Sequence, residues 1–320
     1  MSAREPAAIR SFMGGLVDYA GLFPPASLDM AAAVAEYAAH LEEKEAWMLG
    51  RFIVPAGRLE ELGDTCAPHL NQGREWRFSV LVGGRDGVDE ALAAAETQGR
   101  AVAAFEARFG GRARVEVLEA PLPVEGSGPD TANFLSAYVE AFAAAGLDGR
   151  ELYLEILPGV DDTRVLEAIN ALAAFEKRFS RLGAKLRCGG VVPEAFPGCE
   201  RIAAFIDTCR RLGLPLKCTA GLHHPVRHQA VQPPVMMHGF LNVFGAGILA
   251  HAAAVDREVL TACVAETDPE AFTFSAEGFT WREHFVAVAD LDRARAGFLA
   301  GFGSCSFAEP REDLRTLGIL

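Results

Sequence analysis

The chain has 320 residues and a mass of 34.2 kDa, enough for one α/β barrel of about 250 residues with length to spare. Half of the residues are apolar and 23% are charged, which excludes a disordered chain and supplies a core that needs no disulfide or metal staple. A formal net charge of −13 argues against a nucleic-acid-binding face, while leaving room for a local cationic pocket that holds a small anion.

Short apolar runs alternate with alanine-rich helical stretches along most of the chain. Eight strands are expected, at residues 16–22, 48–54, 76–82, 115–120, 151–157, 184–188, 214–220 and 239–244. Their centres lie roughly 24 to 37 residues apart, the length of one βα unit. Helices are expected at 28–41, 89–109, 131–145, 161–182 and 199–212, with Ser27 as the N-cap of the earliest. Eight such units in sequence read as a (β/α)8 TIM barrel. The competing open doubly wound sheet usually shows a G-x-G-x-x-G turn after its first strand, and none is present. Residues 1–264 are taken as the barrel. Residues 265–320 are taken as a C-terminal extension packed on it within the same domain, with a hairpin around Glu277-Gly278. The proline-bearing stretch 225–237 reads as a long loop at the barrel mouth.

Seven cysteines, at 66, 188, 199, 209, 218, 263 and 305, include no C-x-x-C pair. They fit neither a disulfide framework nor a zinc knuckle, so a reduced, cytoplasmic setting is expected. Residues 1–12 lack the apolar core of a secretory signal, and no apolar run reaches the roughly 18 residues of a membrane span. No membrane partner and no cofactor are expected, and a homo-oligomer stays open.

Alternate residues of a barrel strand face the lumen and the helices. With the apolar set turned outward, the fifth strand leaves Tyr153 and Glu155 inside, the sixth Lys185 and Arg187, and the seventh Lys217 and Thr219. The eighth places His238 and Asn242 on one face, and Glu119 stands near the C-terminal end of the fourth. A neutralised network, such as Glu155 with Lys217, would satisfy these charges structurally. Their position late in the strands points instead to an active site at the C-terminal mouth. Glycines follow the same strands: Gly189 and Gly190, Gly221, then Gly245 and Gly247. They let backbone approach a ligand, and the last two precede a helical stretch whose N-terminus would suit a phosphate or carboxylate.

Two inward lysines on adjacent strands are the sharpest feature. Lysine becomes a nucleophile when desolvation or a neighbouring cation lowers its pKa. The pattern resembles the class I, Schiff-base aldolase barrels, with deoxyribose-phosphate aldolase nearest in pattern. That family has a lysine on strand six and a second on strand seven within a K-x-S-G-G-aliphatic run. Here strand seven reads Lys217-Cys218-Thr219-Ala220-Gly221-Leu222, and the strand-six lysine corresponds to Lys185. The family's K-T-S-T-G becomes Lys185-Leu186-Arg187-Cys188-Gly189, with an arginine where a small hydroxyl is expected, and its strand-four aspartate segment finds no match. The resemblance implies a metal-independent lyase, aldolase or isomerase for a small anionic carbonyl compound. In that reading Lys185 or Lys217 is the nucleophile and Glu155 or Glu119 the acid–base group. Arg187, Gly189, Gly190, Thr219, Gly221, His223, His224, His238, Asn242, Gly245 and Gly247 bind substrate.

Two further readings stand beside it. His223, His224 and His238 with a carboxylate such as Asp18, Glu119 or Glu155 form a divalent-metal set. The strand-six cations and the lack of an H-x-H on strand one weigh against that set, so no metal ligand is assigned. A non-catalytic barrel that binds a small ligand is the other. The Ser304-Cys305-Ser306 tail motif reads as packing, because Cys305 as a nucleophile would need a base nearby.

Overall fold

A computed structural model describes residues 5–70, 75–84, 88–122, 128–156, 160–175, 179–253 and 255–320. The strands are β1 (Val17–Tyr19), β2 (Leu49–Pro55), β3 (Trp76–Leu81), β4 (Ala113–Leu122), β5 (Glu151–Ile156), β6 (Arg181–Arg187), β7 (Leu216–Thr219), β8 (His228–Gln229), β9 (Met236–Met237), β10 (Phe272–Phe274), β11 (Gly278–Trp281), β12 (His284–Ala287) and β13 (Leu299–Ser304). The helices are α1 (Ala7–Met13), α2 (Met30–His40), α3 (Leu59–Leu70), α4 (Val88–Phe109), α5 (Gly128–Ala144), α6 (Asp162–Ala173), α7 (Cys199–Arg211), α8 (Phe240–Ala252), α9 (Arg257–Ala265), α10 (Val288–Gly297) and α11 (Ala308–Thr316). Strands β1 to β7 and β13 close a barrel in the order β1-β13-β7-β6-β5-β4-β3-β2, and every neighbouring pair is parallel. This is the expected (β/α)8 TIM barrel. Position 157 of the expected fifth strand and positions 176–178 of the expected helix at 161–182 lie outside the described residues.

The expected strand at 239–244 is corrected: it begins helix α8. Helix α8 is apolar on all sides and has 11 buried residues from Phe240 to Ala250. A helix without a polar face carries no 3.6-residue signature, so its first residues read equally well as a buried strand. The eighth barrel strand is β13, inside the segment set apart as an extension. Its Leu-Ala-Gly-Phe-Gly-Ser sequence has weak strand propensity. The glycines serve close approach. A Cβ on Gly301 would come within 2.7 Å of the Leu16 carbonyl on the way into β1, and one on Gly303 within 2.9 Å of the Ile53 side chain on β2.

Between β7 and β13 the chain forms the small ribbon β8-β9, then α8 and α9, then the antiparallel sheet β10-β11-β12. The hairpin expected around Glu277-Gly278 is part of that sheet. Helix α8 backs β13: the Phe240 ring stacks on Phe302 at 5.6 Å and 15°, and Phe244 lies 5.7 Å from the same ring. Helix α2 starts two residues later than expected, because Asp29 and not Ser27 accepts the Ala32 amide at 2.8 Å. Among the described residues no helix is long and apolar enough to cross a membrane.

Phe302 is fully buried in the seam that closes the barrel. Phe302→Ala is expected to destabilise the fold by about 3–5 kcal/mol. Urea unfolding followed by tryptophan fluorescence measures it, and a loss under about 1 kcal/mol would show that the seam is loosely packed.

Candidate active site

The lumen holds the polar residues that strand parity turned inward. Lys185 and Lys217 are register partners on β6 and β7, and Glu155 pairs with Lys185 across β5 and β6. Asp18 enters from β1 and Glu119 from β4. Together with Arg187 they form a chain of alternating charge. Lys217 Nζ contacts Asp18 Oδ2 and lies 3.6 Å from Glu119 Oε1. Lys185 Nζ lies 2.8 Å from Glu119 Oε2 and 2.7 Å from Glu155 Oε2. Arg187 Nε reaches Glu155 Oε1 at 2.7 Å. Three carboxylates and three cations cancel, the condition for keeping six charges out of water.

The chain runs from a sealed end to an open one. Side-chain exposure is 0% at Asp18 and Lys217, 1% at Glu119, 6% at Lys185, 8% at Glu155 and 27% at Arg187. Hydrogen bonds hold the sealed end: Asp18 Oδ1 accepts the Arg51 amide at 2.6 Å, and Glu119 Oε1 accepts the Ser79 hydroxyl. Burial raises the Glu119 pKa, but Lys185 and Lys217 outweigh it and hold the carboxyl at about 2. Burial opposes the charge on Lys185 too, and Glu119 with Glu155 overcomes it, so the ammonium is held above its ordinary value. Glu155 is drawn below the usual carboxylate range, with Lys185 and Arg187 outweighing its burial. In the resting site Lys185 is therefore an ammonium, the opposite of the lowered pKa expected from a neighbouring cation. The expected pair Glu155 with Lys217 does not form. Glu155 takes Lys185 and Arg187, and Lys217 takes Asp18 and Glu119.

The other expected residues fall into two groups. Thr219 ends β7 beside Gly303, whose Cβ would stand 3.7 Å from the Thr219 hydroxyl. Gly189 and Gly221 bring the loops after β6 and β7 into contact: a Cβ on either would meet the other's Cα at 2.8 Å, and Gly221 has φ +69°. A Cβ on Gly190 would meet Ala195 at 2.7 Å. These glycines serve backbone approach between loops. The second group lies away from the lumen. His238 Nε2 bonds the Pro197 carbonyl at 2.7 Å. Asn242 donates to the Cys263 and Glu266 carbonyls at 2.9 and 2.8 Å and accepts from the Arg227 amide. Gly245 and Gly247 lie inside α8, against Phe279 and Leu299, so they open no anion loop. Their displacement follows from α8 replacing the expected strand.

The three histidines of the metal reading do not converge. His223 Nδ1 faces Cys305 Sγ at 3.8 Å and Glu309 at 3.3 Å, and His224 Nδ1 meets Asp313 at 2.6 Å. Among the described residues no three His, Cys, Asp or Glu side chains are grouped to hold a metal ion. Sequence reasoning missed Asp18 as an ion partner and Ser79 as a donor. Asp18 had a signal, a lone acid between Val17 and Tyr19 in an apolar strand. Ser79 had none.

Neither a scan of protein-family models nor a search of curated proteins gives a match. Among solved structures, the catalytic domain of a hyperthermophilic chitinase from Pyrococcus furiosus is 11% identical, with 78% of this chain and 92% of that one covered at a TM-score of 0.42. An Orpinomyces sp. Y102 GH6 enzyme is 8% identical, with 91% and 98% covered at a TM-score of 0.38.

Two outcomes follow for the ion chain. Lys217→Met leaves Asp18 and Glu119 buried without their shared cation and is expected to cost about 3–5 kcal/mol in urea unfolding. Glu119 binds its proton more weakly folded than unfolded, so its contribution is present above about pH 4.3 and fades as pH falls toward 2. Urea midpoints measured from pH 6 to pH 2 should fall through that window, and Glu119→Gln should flatten the fall. An unchanged slope in that variant would remove Glu119 from the network.

Proposed function

We propose that the chain is a metal-independent barrel enzyme that makes or breaks a bond beside the carbonyl of a small anionic compound, with Lys185 as the reacting lysine. The observation that carries this reading is the exposure gradient. Of the two inward lysines, Lys217 is sealed and Lys185 stands next to the open end, with a carboxylate on either side. The aldolase resemblance supports it, since Lys185 and Lys217 occupy the two lysine strands.

The geometry also suggests how an ammonium becomes a nucleophile. Arg187 is the most exposed member of the chain and the natural partner for a phosphate or carboxylate. A substrate anion on its guanidinium draws it from Glu155. Glu155, relieved of one of its two cations, becomes the stronger base and takes a proton from Lys185 across their 2.7 Å contact. The neutral amine adds to the carbonyl carbon, a proton passes from nitrogen to the new alkoxide, and water departs with the one proton that Glu155 took, leaving the iminium. The resulting iminium accepts the electron pair of the bond that breaks next to it. Lys217 keeps Glu119 ionised throughout, so Glu119 steadies the cation that remains on nitrogen.

Borohydride reduction with a panel of phosphate- and carboxylate-bearing aldehydes and keto acids, followed by peptide mass spectrometry, tests the assignment. A reduced adduct on Lys185 is expected, absent from Lys185→Arg and much weaker in Arg187→Ala. An adduct on Lys217, or trapping that survives in Lys185→Arg, would move the chemistry elsewhere.

A further inference from the structure

The ion chain leaves another reactive group unused, at the end of the closing strand. Cys305 directly follows β13, and His223 lies on the loop after the neighbouring strand β7. The His223 Nδ1 atom faces two acceptors, Cys305 Sγ at 3.8 Å and Glu309 Oε2 at 3.3 Å, the latter from the first turn of α11. One imidazole nitrogen thus stands within reach of both a carboxylate and the sulfur, the neighbouring base that a nucleophilic cysteine needs. Burial works against a charged His223, but Cys305 and Glu309 prevail and hold the ring at about 9. The imidazole is thus a cation at neutral pH. His224, paired with Asp313, and Tyr19, whose hydroxyl is donated to Glu36, are the other titratable groups nearby.

The remaining cysteines are set differently. Cys66, Cys188 and Cys263 donate their thiol protons to carbonyl oxygens in the interior. Cys209 and Cys218 are wholly buried. Cys199 is 9% exposed against 8% for Cys305, and its thiol is pushed up by burial despite the Arg227 guanidinium beside it, a cation that cannot take up a thiol proton as an imidazole can. Exposure alone therefore does not separate Cys199 from Cys305, and the histidine does.

We propose that Cys305 is a nucleophilic thiol and a covalent modification site at the barrel mouth, which exchanges with small-molecule disulfides while His223 holds its proton. The thiolate sulfur attacks one sulfur of the disulfide, a new S–S bond joins it to Cys305, and the old S–S bond breaks. The released half leaves as a thiolate, free to take the proton from His223. Cys305 is oxidised to a mixed disulfide and the departing half is reduced, so no other reactant is needed. The inference needs neither Lys185 nor a carbonyl substrate, and it stands whether or not the lysine reading does.

The test uses the full chain and 5,5′-dithiobis(2-nitrobenzoate) at pH 7, with the coloured thiolate followed over time and the modified peptide identified. One fast equivalent is expected on Cys305, at least about tenfold faster than Cys199, which is the internal control. Cys305→Ser should lose the fast phase and His223→Gln should slow it by about tenfold or more. Glu309→Gln, a change at a half-exposed position, should slow it less and keeps the test decisive should His223→Gln not fold. A fast phase that maps to another cysteine, or that runs at the full rate in folded variants of both His223 and Glu309, would overturn the proposal.

Discussion

Six acidic and basic side chains stand in the barrel lumen because each carboxylate lies between cations and each lysine between carboxylates, Asp18 being shared by Lys217 and, at 3.8 Å, Arg51. Taking such charges from water costs several kcal/mol per ion, and only near-perfect pairing offsets it. The order Asp18, Lys217, Glu119, Lys185, Glu155, Arg187 meets that demand with a net charge of zero. Removing any inner member strands two neighbours at once. The same constraint explains why Lys185 holds its proton at rest. Its neighbours Glu119 and Glu155 are acids, so in the proposed reaction the proton leaves only when a substrate anion alters that balance.

The barrel is built so that this chain has one open end. Strand β1 is short and pairs with β13 and β2, which brings Asp18 beside Lys217 although the two are 199 residues apart in sequence. Gly303, on β13 between β1 and β7, pairs with Asp18 and Thr219, and a Cβ there would crowd Ile53. Helix α8, buried on all sides, presses Phe240 and Phe244 against Phe302 and fixes the strand that seals the cylinder. The closing strand thus serves both the fold and the site, since it also delivers Cys305 to the mouth.

Much of this was legible in the chain. Apolar runs alternating with helical stretches mark seven of the eight barrel strands, and period-two parity within them turns Glu155, Lys185, Arg187 and Lys217 inward as the geometry has them. It failed where its signal is absent. Helix α8 has no polar face to mark it as a helix, and β13 carries two glycines that weaken any strand signal. One misassignment draws others with it: a strand at 239–244 turns His238 and Asn242 toward the lumen and makes Gly245 and Gly247 a loop ahead of a helix, and neither holds when Phe240–Ala252 is helical. The pairing pattern was not legible either. Which acid meets which lysine depends on barrel closure, a long-range fact that strand parity does not contain.

The central claim is that Lys185 is an ammonium held between two carboxylates until a substrate anion reaches Arg187. The chain has only four lysines, at 44, 177, 185 and 217, so nitrogen-15 labelling of the lysine side chains gives a spectrum that single Lys→Arg variants can assign. The most direct measurement is the Lys185 Nζ signal of the free protein followed from pH 6 to pH 10. The account expects an ammonium signal across that range, with titration only above the ordinary lysine value of about 10.4. A Lys185 amine that titrates below pH 8 in the free protein would contradict it and would mean that the ion chain does not hold the proton.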